Sequence, residues 1–125
     1  MILDTNALSA AADGEPAIAR VLGRATEIAI PVIVLGEYRY GIAGSRRRND
    51  YAEWLGGFLA DSRVLELTET TALAYAEVRL ELKRAGTPIP SNDLWIAALG
   101  RQHGLPVLTR DQHFDRVADL KRLTW

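Results

Sequence analysis

The chain contains no cysteine. Disulfide staples and thiolate metal ligands are thereby excluded, and a reducing, cytoplasmic setting is expected. Long hydrophobic runs are missing too. The most apolar stretch, IAIPVIVLG, is broken by Pro31 and falls short of the ~20 residues that span a bilayer. No basic segment precedes a sustained apolar run near Met1, so no export signal and no membrane partner are expected. Histidine is scarce, at two residues, and neither sign of charge is in excess: 15 Lys and Arg against 16 Asp and Glu give a net charge of −1. That balance alone does not call for a polyanionic partner. The distribution is less even, because SRRRND places Arg46, Arg47 and Arg48 together and Arg110 follows an apolar run.

A chain of 125 residues is long enough to bury a real core, and a single domain over 1–125 is expected. Short apolar runs bounded by turn residues predict strands at ILD, EIAI, RVLEL, PVLT and LKRLT. Helical spacing lies between them. EPAIARVLGRA and PVIVLGEYRYGIA each begin beside a proline, Thr68 or Thr70 can cap TETTALAYAEVRLELKRAG before Gly86 stops it, and Ser91 or Asn92 can cap PSNDLWIAALGRQHG before Gly104. The stretch from Arg46 to Asp50 reads as an exposed loop or helix start, and RAGTPIPSN as a long turn. Strands alternating with helices imply an α/β domain: a central, mostly parallel sheet of four to five strands with helices on both faces.

Most acids read as solvated helix surface, but four stand in unusual places. Asp4 follows the first strand, Glu37 lies among apolar and aromatic residues in VIVLGEYRYGI, Asp93 is in the first turn of NDLWIAAL, and Asp111 follows PVLTR. Each has a structural explanation taken singly. Asp4 and Asp111 are good helix caps, Asp93 suits the positive end of a helix dipole, and Glu37 could pair with Arg39 or a nearby arginine. Taken together, carboxylates at strand ends and on helices starting from the same sheet edge converge on one cleft, where their mutual repulsion demands a cation. With no cysteine and two histidines, the ligand set is all oxygen, which suits Mg²⁺ or Mn²⁺ rather than zinc. Such an ion activates water and stabilises a phosphodiester under in-line attack. Thr5, Asn6, Ser91, Asn92 and Thr109 stand beside the acids and can hydrogen-bond them.

ILDTNAL, VIVLGEYRYGI, IPSNDLWIAAL and LPVLTRDQHFDRV, in this order and spacing over almost the whole chain, resemble the PIN-domain nucleases, and among them the small VapC-type toxins of prokaryotic toxin–antitoxin pairs. The resemblance implies a PIN-like fold. Asp4, Glu37 and Asp93 match the family's three usual acids and Asp111 its variable fourth position, with Asp115 as the competing candidate. Asp4, Glu37, Asp93 and Asp111 are the implied metal ligands and catalytic residues of a Mg²⁺- or Mn²⁺-dependent endoribonuclease that cuts cellular RNA, and Asp115 is the alternative at the fourth place. A VapB-type antitoxin partner and a homodimer are implied as well. Arg46, Arg47, Arg48 and Arg110 are candidate phosphate contacts by charge and position. Trp54 and Trp95 are weighed as base-stacking residues, Trp95 with a core role preferred; His103 and His113 are not needed as ligands, and His113 is at most a substrate contact. The competing reading is a non-catalytic PIN-like module that binds RNA or protein. A phosphoacceptor receiver domain would need an acidic pair after the first strand, an Asp after a middle strand and a lysine after a late one, whereas the first strand gives DTN, RVLEL ends without Asp and no lysine directly follows PVLT.

Overall fold

A computed structural model describes residues 1–125. Five short strands, β1 (Ile2–Leu3), β2 (Ala29–Pro31), β3 (Arg63–Leu65), β4 (Val107–Leu108) and β5 (Arg122–Leu123), form one sheet in the order β3-β2-β1-β4-β5. Every pairing is parallel, so "mostly parallel" becomes wholly parallel. Each of the five apolar runs supplies one strand. Neighbouring residues on a strand point to opposite faces, and both residues of β1 and of β4, with all three of β2, are buried. Both faces of the centre are therefore covered, and polar exposure is left to the edges.

The covering helices are α1 (Thr5–Ala12), α2 (Pro16–Leu22), α3 (Val32–Ala43), α4 (Arg48–Ala60), α5 (Glu69–Ala85) and α6 (Ser91–His103). α1 packs on α2, α3 and α4, and α5 packs along α6. Thr68 and Thr71 form a reciprocal cap at the start of α5, and Gly86 ends it at φ 70°, a left-handed conformation that glycine adopts without penalty. At α6 the expected cap is not made: Pro90 is the N-cap with no side-chain bond, and Ser91 and Asn92 are already helical. Proline's fixed φ sets the helix entry there, which leaves the Asn92 amide free for another partner. No helix is long and apolar enough to cross a membrane.

The strand order has a functional consequence. β1 lies between β2 and β4, so the chain leaves β1 in one direction and returns on its other side. The gap beyond the carboxyl ends of β1 and β4 is the switch point where open α/β sheets bind ligands. Asp4 follows β1 and Thr109 follows β4.

Candidate active site

At that gap Asp4 is 6% exposed. One carboxylate oxygen caps α1 by accepting from the Thr5 amide at 2.7 Å. The other accepts from the Thr109 hydroxyl at 2.7 Å and the Asn6 amide at 3.1 Å. Burial nonetheless raises its pKa, against the lowering effect of the Thr109 and Thr5 hydrogen bonds, and the charges of Glu37 and Asp111 raise it further.

Glu37 comes from the middle of α3. Its carboxylate accepts from the Thr5 hydroxyl at 2.5 Å and from the Asn92 amide at 2.5 Å. The expected partner, Arg39 or another arginine, is not used: two neutral donors from α1 and α6 hold the side chain instead, and Arg39 is exposed. Both contacts leave Glu37 facing the gap rather than neutralised.

Asp93 occupies the first turn of α6, with its side chain 15% exposed. Burial raises its pKa, the His113 contact lowers it, and Asp4 and Asp111 raise it. Asp111 caps the 3-10 turn Gln112–Arg116 by accepting from the His113 amide at 2.9 Å, and its own amide donates to the Thr109 hydroxyl at 3.0 Å. The His113 Nδ1 atom lies 3.2 Å from Asp93 Oδ2 and 3.0 Å from Asp111 Oδ1. Asp93, Asp111 and His113 thus offer three donor atoms within 4.8 Å of one another.

The structure brings together Asp4, Glu37, Asp93 and Asp111, which come from four separate segments, and no lysine or arginine forms an ion pair with any of them. Asp115 is directed elsewhere. It makes a bidentate pair with Arg122 of β5 at 2.8 and 3.0 Å, and the guanidinium lowers its pKa. Thr5, Asn6, Asn92 and Thr109 each donate to one of the acids; Ser91, also expected beside them, is exposed at the start of α6.

Arg46 and Arg47 in the α3–α4 turn and Arg48 at the start of α4 are exposed, with Arg47 over the Tyr51 ring. Arg110 is engaged: it pairs with Glu15 at 2.8 Å and lies over Trp125, 4.3 Å from the ring centroid. Trp54 stacks on Phe58, and Trp95 stacks on Tyr75 at 4.0 Å. Beside Glu37 a cavity of about 300 Å³ opens between α1, α3 and α4, with Thr5, Ser9, Asp13, Tyr38 and Tyr51 on its walls.

His113 is the residue that sequence reasoning leaves out of the acid site. Its signal is the cap itself: an Asp111 side chain that accepts from the His113 amide keeps residue 113 beside the carboxylate, within reach of its ring.

The all-parallel five-stranded sheet with six helices and carboxylates at its switch point matches the PIN-like α/β fold. The PIN-domain family pattern matches residues 1–120, and the chain belongs to that family. It is similar to ribonuclease VapC5 of Mycobacterium tuberculosis, 33% identical over 70% of this chain and 66% of that protein. Ribonuclease VapC4 of the same organism is 30% identical over 78% of this chain and 77% of its own length. Among solved structures, VapBC2 from Rickettsia felis bound to a DNA fragment from their promoter matches with a TM-score of 0.88 and 28% identity, covering 99% of this chain and 97% of that one.

Proposed function

We propose that this chain is a metal-dependent endoribonuclease that cleaves phosphodiester bonds in cellular RNA and acts as the toxin of a VapBC-type pair, with Asp4, Glu37, Asp93 and Asp111 as its catalytic metal site. The observation that carries the reading is the convergence of those carboxylates, two of them with raised pKa, without a lysine or arginine to offset them. Such a set is costly unless a cation joins it, and an oxygen-rich donor set fits a hard divalent ion such as Mg²⁺ or Mn²⁺. When bound, a divalent ion supplies an activated water and charge stabilisation for the phosphoryl group.

The chain's own residues prepare the site. Thr109 and Asn6 fix the Asp4 carboxylate, while Thr5 and Asn92 fix that of Glu37, so the acids are oriented before any ligand arrives. The cleft beside Glu37 leaves a path for an RNA strand, and Arg46, Arg47 and Arg48 can meet its phosphates from the α3–α4 turn and the start of α4. The names of the VapC relatives support RNA as substrate, and the VapBC complex supports a VapB-type protein partner. A homodimer belongs to the same reading through the resemblance to VapC-type toxins. One domain over 1–125, acting in the cytoplasm, completes the reading.

The test is incubation of purified protein with total cellular RNA and Mg²⁺ or Mn²⁺, with cleavage ends mapped by sequencing. Cleavage is expected in wild type and lost with EDTA or in Asp4→Asn and Asp93→Asn, whose circular dichroism stays native. Metal-bound protein that leaves RNA intact would favour the non-catalytic module.

A further inference from the structure

The proposed chemistry leaves His113 without a role, although its ring is the cationic-capable group closest to the acids. The other histidine does not compete. His103 ends α6 where burial, and then the charge of Arg63, lowers its pKa. Arg63 and Glu27 border the amino ends of β3 and β2, across the sheet from Asp4 and Thr109.

Three observations fix the His113 imidazole. Its own amide donates to Asp111 Oδ1, the next residue, Phe114, is fully buried, and Nδ1 reaches carboxylates on two different elements. An ion pair on this partly exposed ring contributes little by itself. The ring is 39% exposed, and exposed pairs of this kind are worth about 0–1 kcal/mol, whereas here one nitrogen is centred on two acids.

The distances fit another arrangement. Donor atoms at right angles around an ion with bonds of about 2.1 Å are about 3.0 Å apart. Nδ1 is 3.0 Å from Asp111 Oδ1 and 3.2 Å from Asp93 Oδ2. Both separations are hydrogen-bond distances, and they equal the spacing of neighbouring ligands on a divalent ion, so the ring need not move to join one. Ligation through Nδ1 needs its lone pair, so the ring proton then resides on Nε2.

We propose that His113 Nδ1 is a direct ligand of the divalent ion together with Asp93 and Asp111, and that this nitrogen makes the site prefer Mn²⁺ or a later first-row ion over Mg²⁺. The preference follows from donor chemistry: imidazole adds affinity along the first-row series, whereas Mg²⁺ favours oxygen. It rests on the metal-site reading above and replaces the all-oxygen ligand set expected from the sequence.

The experiment is Mn²⁺ binding to the intact protein without RNA, followed by electron paramagnetic resonance with Mg²⁺ as competitor, plus electron spin echo modulation to detect ¹⁴N coupled to the bound ion. Wild type should show imidazole ¹⁴N modulation and resist Mg²⁺. In His113→Asn, an amide oxygen takes the reach of Nδ1. The modulation should vanish and the Mn²⁺-over-Mg²⁺ preference fall by about tenfold or more, since even outer-shell partners change metal affinity by roughly 10–100-fold. The wild-type spectrum needs no variant to fold. Bound Mn²⁺ without ¹⁴N coupling, or an unchanged preference in His113→Asn, overturns the proposal while leaving an all-oxygen metal site standing, provided Asp93→Asn abolishes binding. No Mn²⁺ binding by wild type overturns both.

Discussion

Asp93 has few partners for a carboxylate that is mostly covered: its one side-chain contact is His113 Nδ1. Burial and the neighbouring Asp4 and Asp111 charges raise its pKa above that of an unfolded aspartate, which is about 3.9. The sign follows from linkage. A carboxyl group with a raised native pKa favours the folded state while protonated, and that contribution is lost as pH rises from the ordinary aspartate value through the native one. Metal-free Asp93→Asn should therefore melt above wild type at pH 7 to 8, with the difference shrinking toward pH 4. Thermal unfolding in EDTA across that range reads it, and a variant less stable at every pH would contradict it. Millimolar Mn²⁺ should raise the wild-type Tm, by the mass action of a native-state ligand, but not that of Asp93→Asn. At this scale the sequence was informative about residue types and silent about partners. An acid after an apolar run marks Asp4 and Asp111 as strand-end groups. Nothing local says that Glu37 will meet Thr5 and Asn92 rather than Arg39, since those contacts span 32 and 55 residues.

Elements hold the acids in place, and of the glycines Gly100 on α6 is the most closely approached. A Cβ added at Gly100 would stand 2.6 Å from Leu120 Cδ1 and 3.2 Å from the Leu105 carbonyl oxygen. The leucine can turn aside, but the carbonyl belongs to the backbone leading into β4. Gly100→Ala should cost about 1–3 kcal/mol, the usual range for overpacking, as read by chemical denaturation; a neutral result would mean that the α6–β4 connection yields freely. The 3-10 turn carrying Asp111 and His113 hangs on Phe114, which is fully buried. Phe114→Ala should cost about 3–5 kcal/mol and weaken metal binding with it, because the turn would lose its anchor. Elements were legible where their signals were strong: apolar runs gave the five strands, and Thr68 with Gly86 framed α5. α4 was legible only at its start, because RNDYAEWLGGFLA carries two adjacent glycines and buries Leu55 alone. Asp115 is held by Arg122, a β5 residue that meets it only once the sheet is assembled, and no local pattern announces that pair.

Over the whole molecule, the sheet order converts a sequence separation of more than a hundred residues into one site. β1 and β4 are neighbours only because the chain crosses from one side of β1 to the other, and no local pattern encodes that crossing. Charge is organised on the same scale. A net charge of −1 gives no general attraction for RNA, and the acids at the switch point repel phosphate until a cation offsets them. Attraction must therefore come from a local basic surface. Arg110 is occupied by Glu15 and Trp125, which leaves the exposed Arg46, Arg47 and Arg48 as the cluster free to meet a strand. If all three contact phosphates of single-stranded RNA, each contributes about 0.7 to the slope of log affinity against log salt, or about 2 in total. Reversing all three to Glu in an Asp4→Asn background, which leaves the RNA uncut, should flatten the measured slope by about that amount. The loss of affinity should be similar for RNAs of different sequence, because phosphate contacts carry no base information. An unchanged slope would place the strand elsewhere and remove the α3–α4 turn from the substrate path.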